Sequence, residues 1–119
     1  MPSKPADTKR WLLDIQYHIQ LAYRFIDGLA FEQFRDDFRV FYAATRCLEI
    51  ISEASRRLPP DLKDRHQSIP WARIAGAGNV YRHDYEDVDQ HLVWQAIRHR
   101  LPELLVVIEQ ELGAASLLG

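Results

Sequence analysis

A single cysteine among 119 residues, Cys47, leaves the chain without an intrachain disulfide and without the paired thiolates of a cysteine-based zinc site. Uncharged apolar runs are short, and none approaches the roughly 20 residues of a membrane span. The opening segment MPSKPADTKR lacks the apolar stretch of a signal peptide, so a cytoplasmic location without membrane contact is expected. Charge of one sign is not in excess either. A formal net charge of −2 argues against general wrapping of nucleic acid, and no DNA partner is expected, although a local basic cleft remains compatible with it. Compact ligand pairs of the H-x-x-x-H kind are absent. His91 and His99 stand eight apart with Asp84, Asp87 and Asp89 nearby, a looser arrangement than metal sites use, and no metal or other cofactor is expected. Gly76-Ala77-Gly78 is too short and too plain for a phosphate-cradling loop. Internal repeats, low-complexity tracts and the strict alternation of a half-buried strand are also missing.

What is present is helical periodicity in a single domain spanning 1–119, with residues 1–7 expected to be disordered. The first helix is expected to begin at Asp7 or Thr8 and to carry Leu12, Ile15, Ile19, Ala22, Ile26 and Leu29 on one stripe. A short loop with Phe31 and Phe34 follows. The second helix runs from about Asp37 to Leu58, with Phe41, Ala44, Leu48 and Ile51 on its apolar face. Pro59-Pro60 stops it, and 61–68 reads as a polar connection. A third helix opens near Pro70, and Gly76 and Gly78 within it suggest a bend or a close backbone approach. The last helix is capped by Asp89 and presents Val93, Ile97, Leu101, Leu104, Ile108 and Leu112. Gly113 suits its end, and Pro102 should kink or split it. The fold class is therefore all-α, an up-and-down bundle of four to five helices. The aromatics Phe31, Phe34, Phe38, Phe41 and Tyr42 either fill its core or form a patch that favours a homodimer, and we expect the dimer.

One segment concentrates chemistry. Asn79-Val80-Tyr81-Arg82-His83-Asp84-Tyr85 places an amide, a cation, an imidazole, a carboxylate and two phenols between two apolar helical stretches. Such a cluster is costly to desolvate unless its members are paired. Taken alone, His83 reads first as a histidine bonded to a neighbouring carboxylate or carbonyl. An imidazole can also take and give a proton near neutral pH. Asn79 lies four before His83, so on a continuous helix both face one side. There it either orients the imidazole or a phosphate oxygen, or caps a broken turn. Cys47 lies within an apolar helix and reads as core rather than nucleophile.

Several segments together resemble one family. Arg46-Cys47-Leu48-Glu49 followed by Glu53-Ala54, Ile69-Pro70-Trp71, His83-Asp84-Tyr85, Val88-Asp89, Val93-Trp94 and Leu101-Pro102-Glu103-Leu104 are similar to the HepT-like branch of the HEPN superfamily, over roughly Leu12 to Leu112. The resemblance implies an all-helical, usually dimeric toxin of a toxin–antitoxin pair, with RNA as substrate and a minimal nucleotidyltransferase as antitoxin. It implies a metal-independent endoribonuclease whose motif is arginine, four residues, histidine, one residue, tyrosine. His83 then corresponds to the histidine that moves protons as the ribose 2′-hydroxyl attacks the phosphate. Tyr85 corresponds to the tyrosine that the antitoxin silences by AMPylation, although it also fits a ring packed beneath the loop with its hydroxyl in water. Asn79 matches the polar residue after the motif arginine. Glu53 and Asp14 match recurrent acidic positions, with a surface pairing of Glu53 to Arg56 or Arg57 as the plainer reading.

The motif arginine itself is missing, because the position five before His83 is Gly78. A guanidinium grips phosphate through parallel charge-assisted bonds that no neutral group reproduces. Its loss is expected to leave cleavage weak or absent, at a cost of about 10²- to 10³-fold. Arg82 and Arg73 are the nearby substitutes. Arg82, grouped with His83 and Asn79 as a catalytic candidate, would point about 100° away from its neighbour on a helix. Arg73 reaches the position only if the helix bends at Gly76, unless a partner subunit supplies the cation across a two-fold interface. The alternative to an enzyme is a catalytically degenerate dimer that binds a nucleotidyltransferase or RNA without cutting.

Overall fold

The computed structural model describes the backbone of residues 5–83 and 89–118 and the side chains of 6–79 and 89–115. All regular structure among the described residues is helical: α1 (Pro5–Ile26), α2 (Phe31–Asp36), α3 (Phe38–Arg56), α4 (Pro60–Arg65), α5 (Trp71–His83), α6 (Gln90–Gln95), a π-helical turn (Ala96–Arg100) and α7 (Leu101–Leu118). The expected bundle is present, with two more helical turns than the periodicity announced.

α1 begins at Pro5, within the stretch 1–7 that was expected to be disordered and ahead of the expected start at Asp7 or Thr8. Its three-four spacing does what an amphipathic stripe should, burying Leu12, Ile15, Ile19, Ala22 and Ile26 against the other helices. Gly28 follows with φ of 76°, a left-handed conformation open to glycine without a Cβ penalty, and this ends the helix. The loop expected around Phe31 and Phe34 is the short helix α2. The Ala30 N–H donates to Gln33 Oε1 at 2.8 Å, closing its first turn. Six residues have no stability of their own as a helix. Burial holds this one, because Phe34 is completely enclosed, its ring 5.3 Å from that of Trp94 and 6.1 Å from that of Phe41. Asp37 separates α2 from α3 and caps the latter through Oδ1, which accepts from the Arg39 and Val40 N–H groups.

α3 is the spine. It packs along α1 on one side and α5 on the other, α7 lies on α1, and α2 and α6 close one end. Phe41, Ala44, Leu48 and Ile51 are buried on its inner face, as the stripe predicts, and Leu58 just beyond it is buried too. Pro59-Pro60 ends α3, but Pro60 then opens α4 within the expected polar connection, since a first-turn proline lacks only an N–H that has no helical partner anyway. Leu62 anchors α4 in the core. Pro102 acts one turn upstream of itself. A proline ring clashes with the carbonyl four residues back, and the chain widens over Ala96–Arg100, where the Leu101 N–H reaches the Ala96 carbonyl five back. Val93, Ile97, Leu101, Leu104 and Ile108 still share one buried face across that turn. Gly113, expected to end the last helix, is passed without a break.

Of the five aromatics near the second helix, Phe34 and Phe41 fill the core and Phe31 packs beside it, whereas Phe38 (68% exposed) and Tyr42 (56%) face outward. No helix among the described residues is long and apolar enough to cross a membrane.

One polar clamp ties α4 to α7. Glu111 accepts from Arg65 Nη2 at 2.8 Å and meets His66 Nε2 at 2.6 Å, with only 13% of its side chain exposed. The Arg65 guanidinium, then His66, hold the Glu111 carboxyl below its ordinary value of 4.5, outweighing the opposing effect of burial. A depressed carboxylate contributes stability that is complete above its unfolded-state value and is lost as pH falls through the lower folded one. The resistance of the wild type to urea should therefore fall below pH 4.5. Glu111→Gln should be less stable at neutral pH and lack that part of the acid dependence. Parallel pH profiles for the two proteins would assign the acid loss elsewhere.

Candidate functional site

The helix that carries the polar cluster is held by unusual means. α5 starts where Trp71 Nε1 donates to the His66 carbonyl at 3.0 Å. Its apolar content is thin, and Ile74 and Ala77 face a groove of about 370 Å³ between α5, α3 and the start of α7. Its firm attachment to α3 is polar. Ser52 Oγ donates to the carbonyls of Ile74 at 2.7 Å and Ala75 at 3.1 Å. One turn further along α3, Arg56 places Nη2 at 2.8 Å and Nε at 3.1 Å from the same Ala75 oxygen.

Gly78 sits against this attachment, buried. A Cβ added there would collide with Ser52 Oγ and lie 2.9 Å from Ser52 Cβ. Of the two outcomes expected for the glycines, Gly78 therefore makes the close approach, and α5 runs unbroken through Gly76, where a Cβ would meet open space. The residue that the motif expects to be a cation is the one that lets two helices touch.

The sequence-predicted site residues fall in three places. Asn79 is exposed on α5, one turn beyond Ala75. Positions 82 and 83 form the last turn of the same helix, and the side chains of Arg82 and His83 lie outside the described residues, as does all of Tyr85. Positions 79 and 83 are thus one turn apart on a continuous helix, as the spacing predicts. Arg73 lines the groove together with Arg100. Because α5 does not bend at Gly76, Arg73 stays about 140° around the helix from position 78, and the condition for it to stand in for the motif arginine is not met. Asp14 and Glu53 share a shallow depression between α1 and α3 with Arg46 and Glu49. Glu53 is half exposed and lies 3.9 Å from Arg57, four residues on.

Elsewhere, Cys47 is buried and its thiol is pushed up to about 11 by that burial, so it is no nucleophile at neutral pH. Among the described residues, no three His, Cys, Asp or Glu side chains gather as a metal ion requires. Two residues set the geometry of α5: Ser52, which sequence reasoning passed over, and Arg56, which it read only as a surface partner of Glu53. Their i, i+4 spacing was visible, but only the α3–α5 crossing shows what they touch.

Comparison with known proteins places the chain among named ribonucleases. The family model described as ribonuclease HepT-like matches residues 15–111. A candidate RNase of Methanocaldococcus jannaschii is 32% identical over 104 residues, covering 87% of this chain and 84% of that protein. A candidate ribonuclease HepT of Thermococcus cleftensis is 36% identical over 96 residues, covering 81% and 87%. A candidate RNase of Caldanaerobacter subterraneus subsp. tengcongensis is 37% identical over 79 residues, covering 66% and 70%. No solved structure matches the chain. With a family match that spans most of its length and relatives more than 30% identical over most of both chains, the chain belongs to the HepT-like ribonuclease family of the HEPN superfamily.

Proposed function

We propose that this protein is the ribonuclease toxin of a toxin–antitoxin pair and cuts RNA, without a metal ion, at the C-terminal end of α5. The reading is supported above all by the family match, and also by the unbroken helix that carries Asn79 and His83 one turn apart. His83 takes the proton of a ribose 2′-hydroxyl. That oxygen attacks the adjacent phosphorus, the bond to the 5′-oxygen breaks, and the leaving oxygen is protonated in turn. The products end in a 2′,3′-cyclic phosphate and a 5′-hydroxyl. Asn79 orients the imidazole or a phosphate oxygen. The active form is a homodimer, for which exposed Phe38 and Tyr42 offer apolar surface. A minimal nucleotidyltransferase silences it by placing AMP on Tyr85, a bulky anion two residues from His83 that repels RNA.

A second reading, a dimer that binds the nucleotidyltransferase or RNA without cutting, is favoured by Gly78, which has no side chain and no room for one. Incubating the purified protein with RNA in the presence of a chelator separates the two. Products ending in cyclic phosphate support the enzyme, whereas RNA that is retained intact selects the binding module. Co-expression with an active nucleotidyltransferase should add the mass of AMP to the peptide containing Tyr85; an unmodified peptide would remove that tyrosine from the proposal.

A further inference from the structure

We infer that Arg56, on α3, is the cation that holds a phosphate of the RNA strand beside the polar end of α5, a role assigned neither by the motif nor by its nearest substitutes. The inference rests on the ribonuclease reading of that helix end.

The arginines of the described structure differ in what they are committed to. Arg35, Arg46, Arg57 and Arg65 each lie within ion-pair distance of a carboxylate. Arg10 and Arg98 lie over the rings of Trp11 and Trp94. Arg73 faces the apolar groove with Arg100. Arg56 is different: two of its N–H groups converge on the neutral Ala75 carbonyl, and no described carboxylate pairs with it. A guanidinium has five N–H donors, so three remain. Its charge is undiminished and its side chain is already ordered. Ordering long, flexible side chains is a large part of what binding costs, so a cation fixed in advance on a neutral acceptor is a better phosphate holder than a free one.

Position supports the same conclusion. The Ala75 carbonyl points along α5 toward Asn79, the next residue on that side one turn later, and Asn79 is exposed. Gly76 beside it offers bare backbone with open space where a side chain would stand. A strand can approach this face closely, with Arg56 at one end and the last turn of α5, which contains position 83, about two helical turns from Ala75. Gly78 is what allows it: with no Cβ between the helices, α3 comes near enough for Arg56 to reach across to the α5 backbone. The glycine that removes the motif arginine thereby admits a different arginine from the neighbouring helix.

Arg56→Gln tests this, because an amide can still donate to the Ala75 carbonyl while the charge is gone. Binding is read with a labelled single-stranded oligouridine made uncleavable by 2′-O-methyl sugars, over a range of salt. The variant should bind about 10- to 100-fold more weakly, and its slope of log affinity against log salt should be shallower by about 1. Arg56→Lys should recover the slope in part. Arg24→Gln, which removes an equal charge from the last turn of α1, should leave it unchanged. A merely structural Arg56 would lower the melting temperature and leave the slope alone, and that result overturns the inference. Cleavage of unmodified RNA is followed in parallel. If the wild type cuts through His83 and Arg56→Gln keeps the wild-type slope, Arg56 alone is misassigned. A wild type that neither binds nor cuts RNA overturns both the inference and the function beneath it.

Discussion

Gly78→Arg alone is expected to destabilise the protein, and Ser52→Gly is expected to rescue it in part, net of the two hydrogen bonds and the helix propensity that Ser52 gives up. Any side chain at 78 begins with a Cβ that collides with Ser52 Oγ and lies 2.9 Å from Ser52 Cβ. Rotating the hydroxyl away relieves the first contact but not the second, because Cβ is fixed to the α3 backbone. Overpacking of this kind costs about 1–3 kcal/mol, more than the roughly 1 kcal/mol a helix gains when an interior glycine is replaced. Ser52→Ala should therefore rescue poorly, whereas Ser52→Gly removes both offending atoms. The two substitutions should couple strongly, as neighbouring sites do, and thermal unfolding of the four proteins of the cycle reads the coupling directly. With room made, the arginine returns to the motif position. Cleavage should then rise by about 10²- to 10³-fold over the wild type, the usual worth of one electrostatic group at a reacting phosphate or oxyanion. A stable Gly78→Arg single variant would show that the helices do not approach as closely as described. A folded double variant with unchanged cutting would show that position 78 does not face the substrate.

The second large effect is the loss of cutting in His83→Ala. A positioned general acid or base contributes about 10²- to 10⁴-fold, and no other residue of the cluster both accepts and donates a proton near neutral pH as an imidazole does. The variant should still fold, because position 83 is in the last turn of α5, beyond the Ser52 and Arg56 attachments. It should also still bind the uncleavable oligouridine, since the binding charge is assigned elsewhere. Equal cutting by wild type and His83→Ala would mean that this imidazole does not carry the reaction. Loss of binding together with cutting would make it a substrate contact instead of a proton carrier.

The sequence disclosed the frame of this protein with some fidelity. The stripes Leu12-Ile15-Ile19 of α1, Phe41-Ala44-Leu48 of α3 and Val93-Ile97-Leu101 near the end are all buried, because a 3.6-residue repeat has only one way to hide its apolar side. Asp89 caps the helix it was expected to cap, and Asp37, expected only as the start of its helix, caps α3, since a short carboxylate before a helical run satisfies its orphan N–H groups. The short helices were not legible. α2 exists because Phe34 needs burial between Phe41 and Trp94, and α4 because Leu62 reaches the core, neither of which is a property of six residues read alone.

The site divides along the same line. Local spacing placed Asn79 and position 83 a turn apart and Cys47 within an apolar helix, and position 78 carries glycine where the resembled motif has arginine. The reason position 78 suits glycine, and the arginine that meets the Ala75 carbonyl, came from the packing of α3 on α5. Both answers lie on α3, more than 20 residues away in sequence, at a contact with no apolar periodicity to announce it. Periodic burial is written into every turn of a helix. A single crossing point, where one hydroxyl and one guanidinium meet a neighbouring backbone, is fixed only when the two helices are brought together.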